Sequence, residues 1–182
     1  MKGIFLILFA TVFFSCSSPT KNDNVYYYKA ISNGNIVSFE KRSYKIDDDF
    51  ITENITVIGA DGNTIEETKN KFKKLKSGYE VIINDKASKY LLTSKPNQCA
   101  VYEHPMMYEV KNCYEKTIDY KGYKNALKYT YSEEVTDGLS MTIYRDKEFA
   151  LIDKVNIIGM GNYDELIRIK KSSIPPEIEK SF

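Results

Sequence analysis

The sequence predicts a mainly β protein of α+β type: a single antiparallel sheet built as a meander, curved toward a half-barrel, with one or two helices. Three observations lead there. Short Tyr- and Ile-rich segments alternate with Gly-, Asn- and Asp-bearing turn signals along the chain. Tyr accounts for 15 residues, and aromatic side chains suit a pleated, half-buried surface. Consecutive strands joined by tight turns can pair only antiparallel.

The elements follow in order. Residues 25–31 form the first predicted strand, and Ser32-Asn33-Gly34-Asn35 after it is a strong hairpin turn. Residues 36–46 continue the sheet, with Val37 and Phe39, then Tyr44 and Ile46, alternating through one change of phase. Asp47-Asp48-Asp49 turns the chain into 50–59, where Ile51, Ile55 and Val57 share a period-two face. Residues 64–76 carry the best helix signals. Thr64 and Glu67 are spaced as a capping box, Glu66 and Glu67 sit in the first turn, and Lys73, Lys74 and Lys76 sit in the last. Ile65, Phe72 and Leu75 give a narrow apolar stripe, and Gly78 is a stop.

Residues 79–84 and 89–93 are predicted strands around an Asn84-Asp85-Lys86 turn. Residues 113–120, 123–135, 139–145, 148–158 and 163–171 read as a meander. Pro175-Pro176 ends regular structure. Tyr26-Tyr27-Tyr28 must place rings on both faces of its strand, as core on one side and rim or recognition surface on the other.

Composition sets the limits on function. The chain has 182 residues and a formal charge of +1, which gives no global reason to bind nucleic acid. Its 42% hydrophobic and 28% charged content argues against intrinsic disorder. The charge is unevenly placed: residues 69–95 carry eight Lys against Glu80 and Asp85, whereas residues 131–165 carry eight acidic side chains against three basic ones.

The first fifteen residues differ from the rest. Lys2 precedes an apolar run from Ile4 to Phe14 broken only by Thr11. That is the length of a secretory signal and too short to span a bilayer, which takes about 20 residues. Phe13-Phe14-Ser15-Cys16 closes the run, and a small, polar, Pro-containing stretch follows through Asn24. The segment resembles the lipobox of bacterial lipoproteins, with Phe13 where Leu is more usual. The resemblance covers the signal alone. It implies a diacylglyceryl thioether on Cys16, and two or three acyl chains anchor stably where one is marginal. Ser17 after the Cys leans toward the outer membrane in that family.

The expected organisation is a signal peptide at 1–15, a lipidated N-terminus and flexible tether at 16–24, one β-rich domain at 25–174 and a C-terminal tail at 175–182. The tether could extend to roughly 30 Å at about 3.3 Å per residue. The expected location is the cell envelope, anchored to a membrane through lipid on Cys16.

Removing Cys16 leaves Cys99 and Cys113 as an even pair in an oxidising compartment. Their bridge would close a 15-residue loop, worth about 3 kcal/mol in chain-entropy models. The loop holds His104-Pro105, which includes the single His of the chain.

Motifs for chemistry are lacking. There is no G-x-S-x-G, and one His leaves no zinc site of the usual kind. Ser38 and Lys41 have S-x-x-K spacing, but on a predicted strand. Asp47-Asp48-Asp49 with Glu53 lacks the central Gly and ligand spacing of a calcium loop. Glu133 and Glu134 alternate sides of a strand. The sequence therefore predicts no catalytic residue, no metal ligand and no cofactor.

The expected function is that of a non-catalytic envelope lipoprotein binding a protein partner, in the manner of an immunity or inhibitor protein. The alternative is a carrier-like module holding a small apolar ligand or lipid on a half-open sheet. An envelope hydrolase is the third reading.

Overall fold

The computed structural model describes residues 24–83, 86–103, 106–158 and 164–182. Residues 1–23 with the apolar run and Cys16, residues 84–85, His104-Pro105 and residues 159–163 lie outside them. The described residues form a twelve-stranded meander: β1 (Asn24–Ser32), β2 (Asn35–Ile46), β3 (Phe50–Gly59), β4 (Thr64–Leu75), β5 (Gly78–Ile83), β6 (Lys86–Thr93), β7 (Gln98–Glu103), β8 (Glu109–Tyr120), β9 (Tyr123–Glu134), β10 (Ser140–Arg145), β11 (Leu151–Ile158) and β12 (Glu165–Ile169).

All pairings are antiparallel. Their order is β6-β5-β4-β3-β2-β1-β12-β11-β10-β9-β8-β7, so β1 and β12 join the two halves at the centre. The sheet is open between β6 and β7, which share no ladder yet lie alongside each other. Leu92 of β6 and Tyr114 of β8 enter one core cluster, so the sheet curls far enough for both edges to share an interior. The predicted antiparallel, curved sheet is thus the fold.

The helix expected near residues 64–76 is instead strand β4. β4 pairs along most of its length with β3, from Phe50↔Lys73 to Ile58↔Thr64, and then with β5. Helix propensities differ by only a few tenths of a kcal/mol per residue, and two hydrogen-bonded ladders outweigh them. The capping-box residues and the terminal Lys serve different ends in the strand. Lys74 donates its backbone N–H to the Asp49 carbonyl and its Nζ to the Asp47 carbonyl, closing the β2–β3 and β4–β5 turns against each other.

Residues 98–112, which hold the Cys loop, also differ from expectation. Residues 98–103 form β7 and residues 109–112 the first third of β8, with Cys99 opposite Cys113. The two cysteines are disulfide-bonded, with Cα atoms 3.9 Å apart. The bridge therefore fastens the edge strand β7 to its one laddered neighbour.

The alternation of a meander puts every second connection at the same end. The β2–β3, β4–β5, β8–β9 and β10–β11 turns share one pole with the start of β1, where Asn24 Nδ2 donates to Glu148 Oε2. That pole is filled by the main core: Tyr44, Ile51, Phe72, Val81, Leu92, Tyr114, Tyr129, Phe149 and Ala150. Phe149, in the β10–β11 turn, is its centre. The C-terminal segment is packed rather than free. A 3-10 turn (Lys171–Ser173) and a short helix α1 (Pro176–Glu179) place Ile174 and Ile178 over Phe39 and Ile58 on the outer face, with Tyr27 and Phe182 beside them. Tyr28 points the other way and is fully buried, so the Tyr26–Tyr28 run does serve both faces. Among the described residues no helix is long and apolar enough to cross a membrane.

Candidate functional site

Above the plugged pole the curled sheet lines a half-open cavity of about 430 Å³. Its two walls differ in character. On β2, β3 and β4 it is lined by Glu40, Arg42, Glu53, Ile55, Val57, Glu66, Thr68 and Asn70; on β9, β10 and β11 by Tyr131, Met141, Ile143, Arg145, Leu151 and Lys154, with Leu139 just before β10. Exposure rises along β4 from buried Phe72 through half-buried Asn70 and Thr68 to exposed Glu66. The mouth therefore lies at the pole opposite the plug.

The polar wall is assembled by register. Glu40, Arg42 and Tyr44 alternate onto the inner face of β2, and Glu53 and Asn70 stand across from Tyr44 on the next two strands. Arg42 donates Nε (2.8 Å) and Nη2 (2.6 Å) to Glu40 Oε2, and Nη1 (2.9 Å) to Glu53 Oε1. Glu53 also accepts from the Tyr44 hydroxyl at 2.5 Å and from Asn70 Nδ2 at 3.0 Å. Glu53 is 1% exposed, Glu40 5% and Arg42 9%, so this is an internal ion network. Burial by itself would raise the Glu53 pKa. The Arg42 guanidinium, Arg145 and the bonds from Tyr44 and Asn70 together outweigh burial and hold that pKa at about 2. Burial, and then the charge of Glu53, pushes the Tyr44 hydroxyl pKa well above its ordinary value, so Tyr44 acts here as a neutral donor.

A register shift between Tyr144 and Arg145, where β10 meets β11, turns the Leu151 backbone inward. Its N–H donates to the Tyr44 oxygen at 3.2 Å, and its carbonyl accepts from Tyr28 at 2.7 Å and from Arg168 Nε at 2.7 Å. The network is thereby tied to the floor. Arg145 completes it: Nη1 donates to the Phe149 carbonyl at 2.9 Å, and its guanidinium lies 4.4 Å from the Phe149 ring centroid.

A second polar cluster sits on the outer face. Asp153, fully buried, accepts from Tyr120 and from Lys121 Nζ, each at 2.6 Å, and Lys121 also reaches Glu165 at 2.9 Å. The shift near Leu151 sends Asp153 to the side away from the cavity. It latches the β8–β9 turn onto β11 and β12.

No protein-family model, curated protein or solved structure compared with this chain matches it.

The residues singled out in the sequence fall as follows. Cys99 and Cys113 form their bridge at the sheet edge, away from the polar network. Ser38 and Lys41 point to opposite faces of β2, and Lys41 Nζ donates to the Phe182 carbonyl. Glu53 turns inward to Arg42, away from Asp47-Asp48-Asp49. Glu133 accepts from the Tyr131 hydroxyl, whereas Glu134 accepts from Lys111. Among the described residues no group of three or more His, Cys, Asp or Glu is placed to hold a metal ion. Glu40, Arg42 and Asn70 carried no motif. The available signal was the i, i+2 spacing of Glu40, Arg42 and Tyr44, and on a strand that spacing also describes an ordinary solvent face.

Proposed function

We propose that this protein holds a small amphipathic molecule inside its curled sheet, as a carrier-like module tethered in the cell envelope. The observation that carries this reading is the cavity itself. Its volume lies within the range of small-molecule sites, it is closed at one pole, and a polar wall with a buried ion network faces a mostly apolar one. A neutral fluorescent probe, N-phenyl-1-naphthylamine, is expected to bind saturably at one site. Ile143→Trp fills the cavity and is expected to weaken that binding at least tenfold with little change in thermal unfolding. Equal binding by the variant would place the probe elsewhere and remove the support.

The lipobox-like Phe13-Phe14-Ser15-Cys16 supplies the tether in this reading. Since β1 begins at the plugged pole, a lipid on Cys16 would leave the mouth at the far end from the anchor. Cys16→Ala is expected to shift the protein from the membrane to the soluble fraction of the producing cell. A variant that fractionates like wild type sinks the anchor.

A protein partner is the second reading, and a specific observation favours it. Exposed apolar side chains collect at the mouth pole: Ile36 and Val37 by the β1–β2 turn, Ile65 by the β3–β4 turn, Met106 and Met107 before β8, and Val135 after β9. Large exposed apolar patches mark interaction surfaces. A photo-crosslinker at Met107 should then yield one discrete adduct in the envelope, and one at Leu75, exposed at the plugged pole, should not. Matching adducts from both positions would argue against a mouth-specific partner.

A further inference from the structure

Glu40 is the one strongly buried carboxylate of the cavity wall with an unused acceptor. Arg42 takes Oε2 twice, through Nε and Nη2. Glu40 Oε1 accepts no hydrogen bond among the described residues, although the side chain is only 6% exposed and lines the cavity. The other charged groups of the inner network are engaged. Both oxygens of Glu53 are taken, by Arg42 and Tyr44 on one and Asn70 on the other, and Arg145 is held at the floor by the Phe149 carbonyl and ring. That oxygen opens onto the cavity, so a ligand that displaces water from it must bring a donor in its place, because a carboxylate oxygen desolvated without one is costly.

Resting on the ligand-binding reading above, we infer that the bound molecule presents a hydrogen-bond donor, an ammonium or a hydroxyl, to Glu40 Oε1 and lays its apolar body against Met141, Ile143 and Leu151. An ammonium or hydroxyl supplies the proton that oxygen lacks. A carboxylate at the same place brings two more acceptors against an acceptor and is repelled by Glu40. Arg42 does not rescue it, because both carboxylates of the network already share the guanidinium. Through Glu40 the site thus selects amines and alcohols over acids of the same carbon skeleton, against the pull of the Lys154 ammonium on the facing wall. The logic is that of any pocket built around a buried polar group, where the wrong partner leaves that group unpaired.

Calorimetric titration of the full chain with decylamine, decanol and decanoate, each below its micelle concentration, tests this directly. The expected result is one-to-one binding of the amine and the alcohol, with decanoate at least tenfold weaker. In Glu40→Gln the amide can accept from Arg42 and donate into the cavity, so the amine-over-acid preference is expected to fall tenfold or reverse. Decanoate binding as tightly as decylamine in the wild type overturns the inference without any variant. An unchanged preference in a folded Glu40→Gln protein overturns the role of Glu40. Binding of none of the three, or binding left intact by Ile143→Trp, fails the cavity reading itself and is distinct from a failure of head-group selection.

Discussion

Replacing Arg42 with Met is expected to cost about 3–5 kcal/mol of folding stability, the range for breaking a buried ion pair from one side. For a domain of this size that lowers the melting temperature by roughly 10–15 °C. The loss does not measure the worth of the ion pairs. It measures the cost of leaving Glu40 and Glu53 charged in a space where neither is more than 5% exposed. The triple replacement Glu40→Gln, Arg42→Met, Glu53→Gln should therefore recover a large part of the stability.

The pH dependence separates the two proteins by sign. In the wild type the Glu53 pKa is depressed from its ordinary 4.5 to about 2. Its contribution is present in full above pH 4.5 and is lost as pH falls toward 2, on the order of 3 kcal/mol in all. Without Arg42 the burial effect dominates and the folded-state pKa rises above the unfolded value. The variant should then gain stability as pH falls into the carboxylate range. Urea midpoints followed by circular dichroism at pH 7, 5 and 3.5 would show it. A loss under 1 kcal/mol with unchanged pH slope would mean that the network contributes little.

The same network explains why the fold was largely legible in the sequence and the site was not. β1, β2, β3 and the strands from β8 onward announce themselves through Asn-Gly and Asp-Gly turns and through apolar residues at every second position. In β2, however, the apolar alternation marks the wrong side as core. Phe39 faces outward and is buried only because Ile174 and Ile178 return to cover it. The inner face reads Ser38, Glu40, Arg42, Tyr44, which on an isolated strand looks like water-facing surface.

β4 failed for the same reason. Glu66, Thr68 and Asn70 line the cavity and Glu67, Lys69 and Lys71 face out, so neither side offers an apolar period of two. With that signal absent, the capping-box spacing and terminal charges pointed to a helix. Residues that build a buried polar wall erase the pattern by which strands are recognised. Their convergence also depends on the register of three strands, which no local motif encodes. The Cys pair needed no such convergence, because the two cysteines left once the lipobox-like Cys16 is set aside already suggest a bridge in a chain expected to be exported.

Phe149→Ala is expected to be as damaging as the loss of Arg42, at about 3–5 kcal/mol, for the unlike reason that it opens a hole in an apolar floor. The ring is 3% exposed and meets Phe72 and Tyr79 at centroid distances of 5.1 and 4.5 Å, Tyr129 at 6.4 Å and the Arg145 guanidinium at 4.4 Å. Its backbone has φ of +70°, a conformation that favours glycine over a bulky side chain. The turn holds it there. The Phe149 N–H donates to the Asp146 carbonyl, and Asp146 Oδ1 accepts from the N–H groups of Glu148 and Ala150. A side chain kept against its backbone preference must return more in packing than the conformation costs. Phe149→Gly divides the two: it removes the ring and the strain together, so it should destabilise less than Phe149→Ala despite the smaller side chain. Leu75→Ala, at an exposed site of the same pole, should stay within about 0.5 kcal/mol. Because the Arg145 charge rests on the ring and its Nη1 on the same residue's carbonyl, the floor substitution should also disturb the charged layer above it. Weaker probe binding in Phe149→Ala, measured below its shifted melting range, would show that plug and cavity wall act together. Unaltered binding alongside a loss of several kcal/mol would show that the plug only seals the pole.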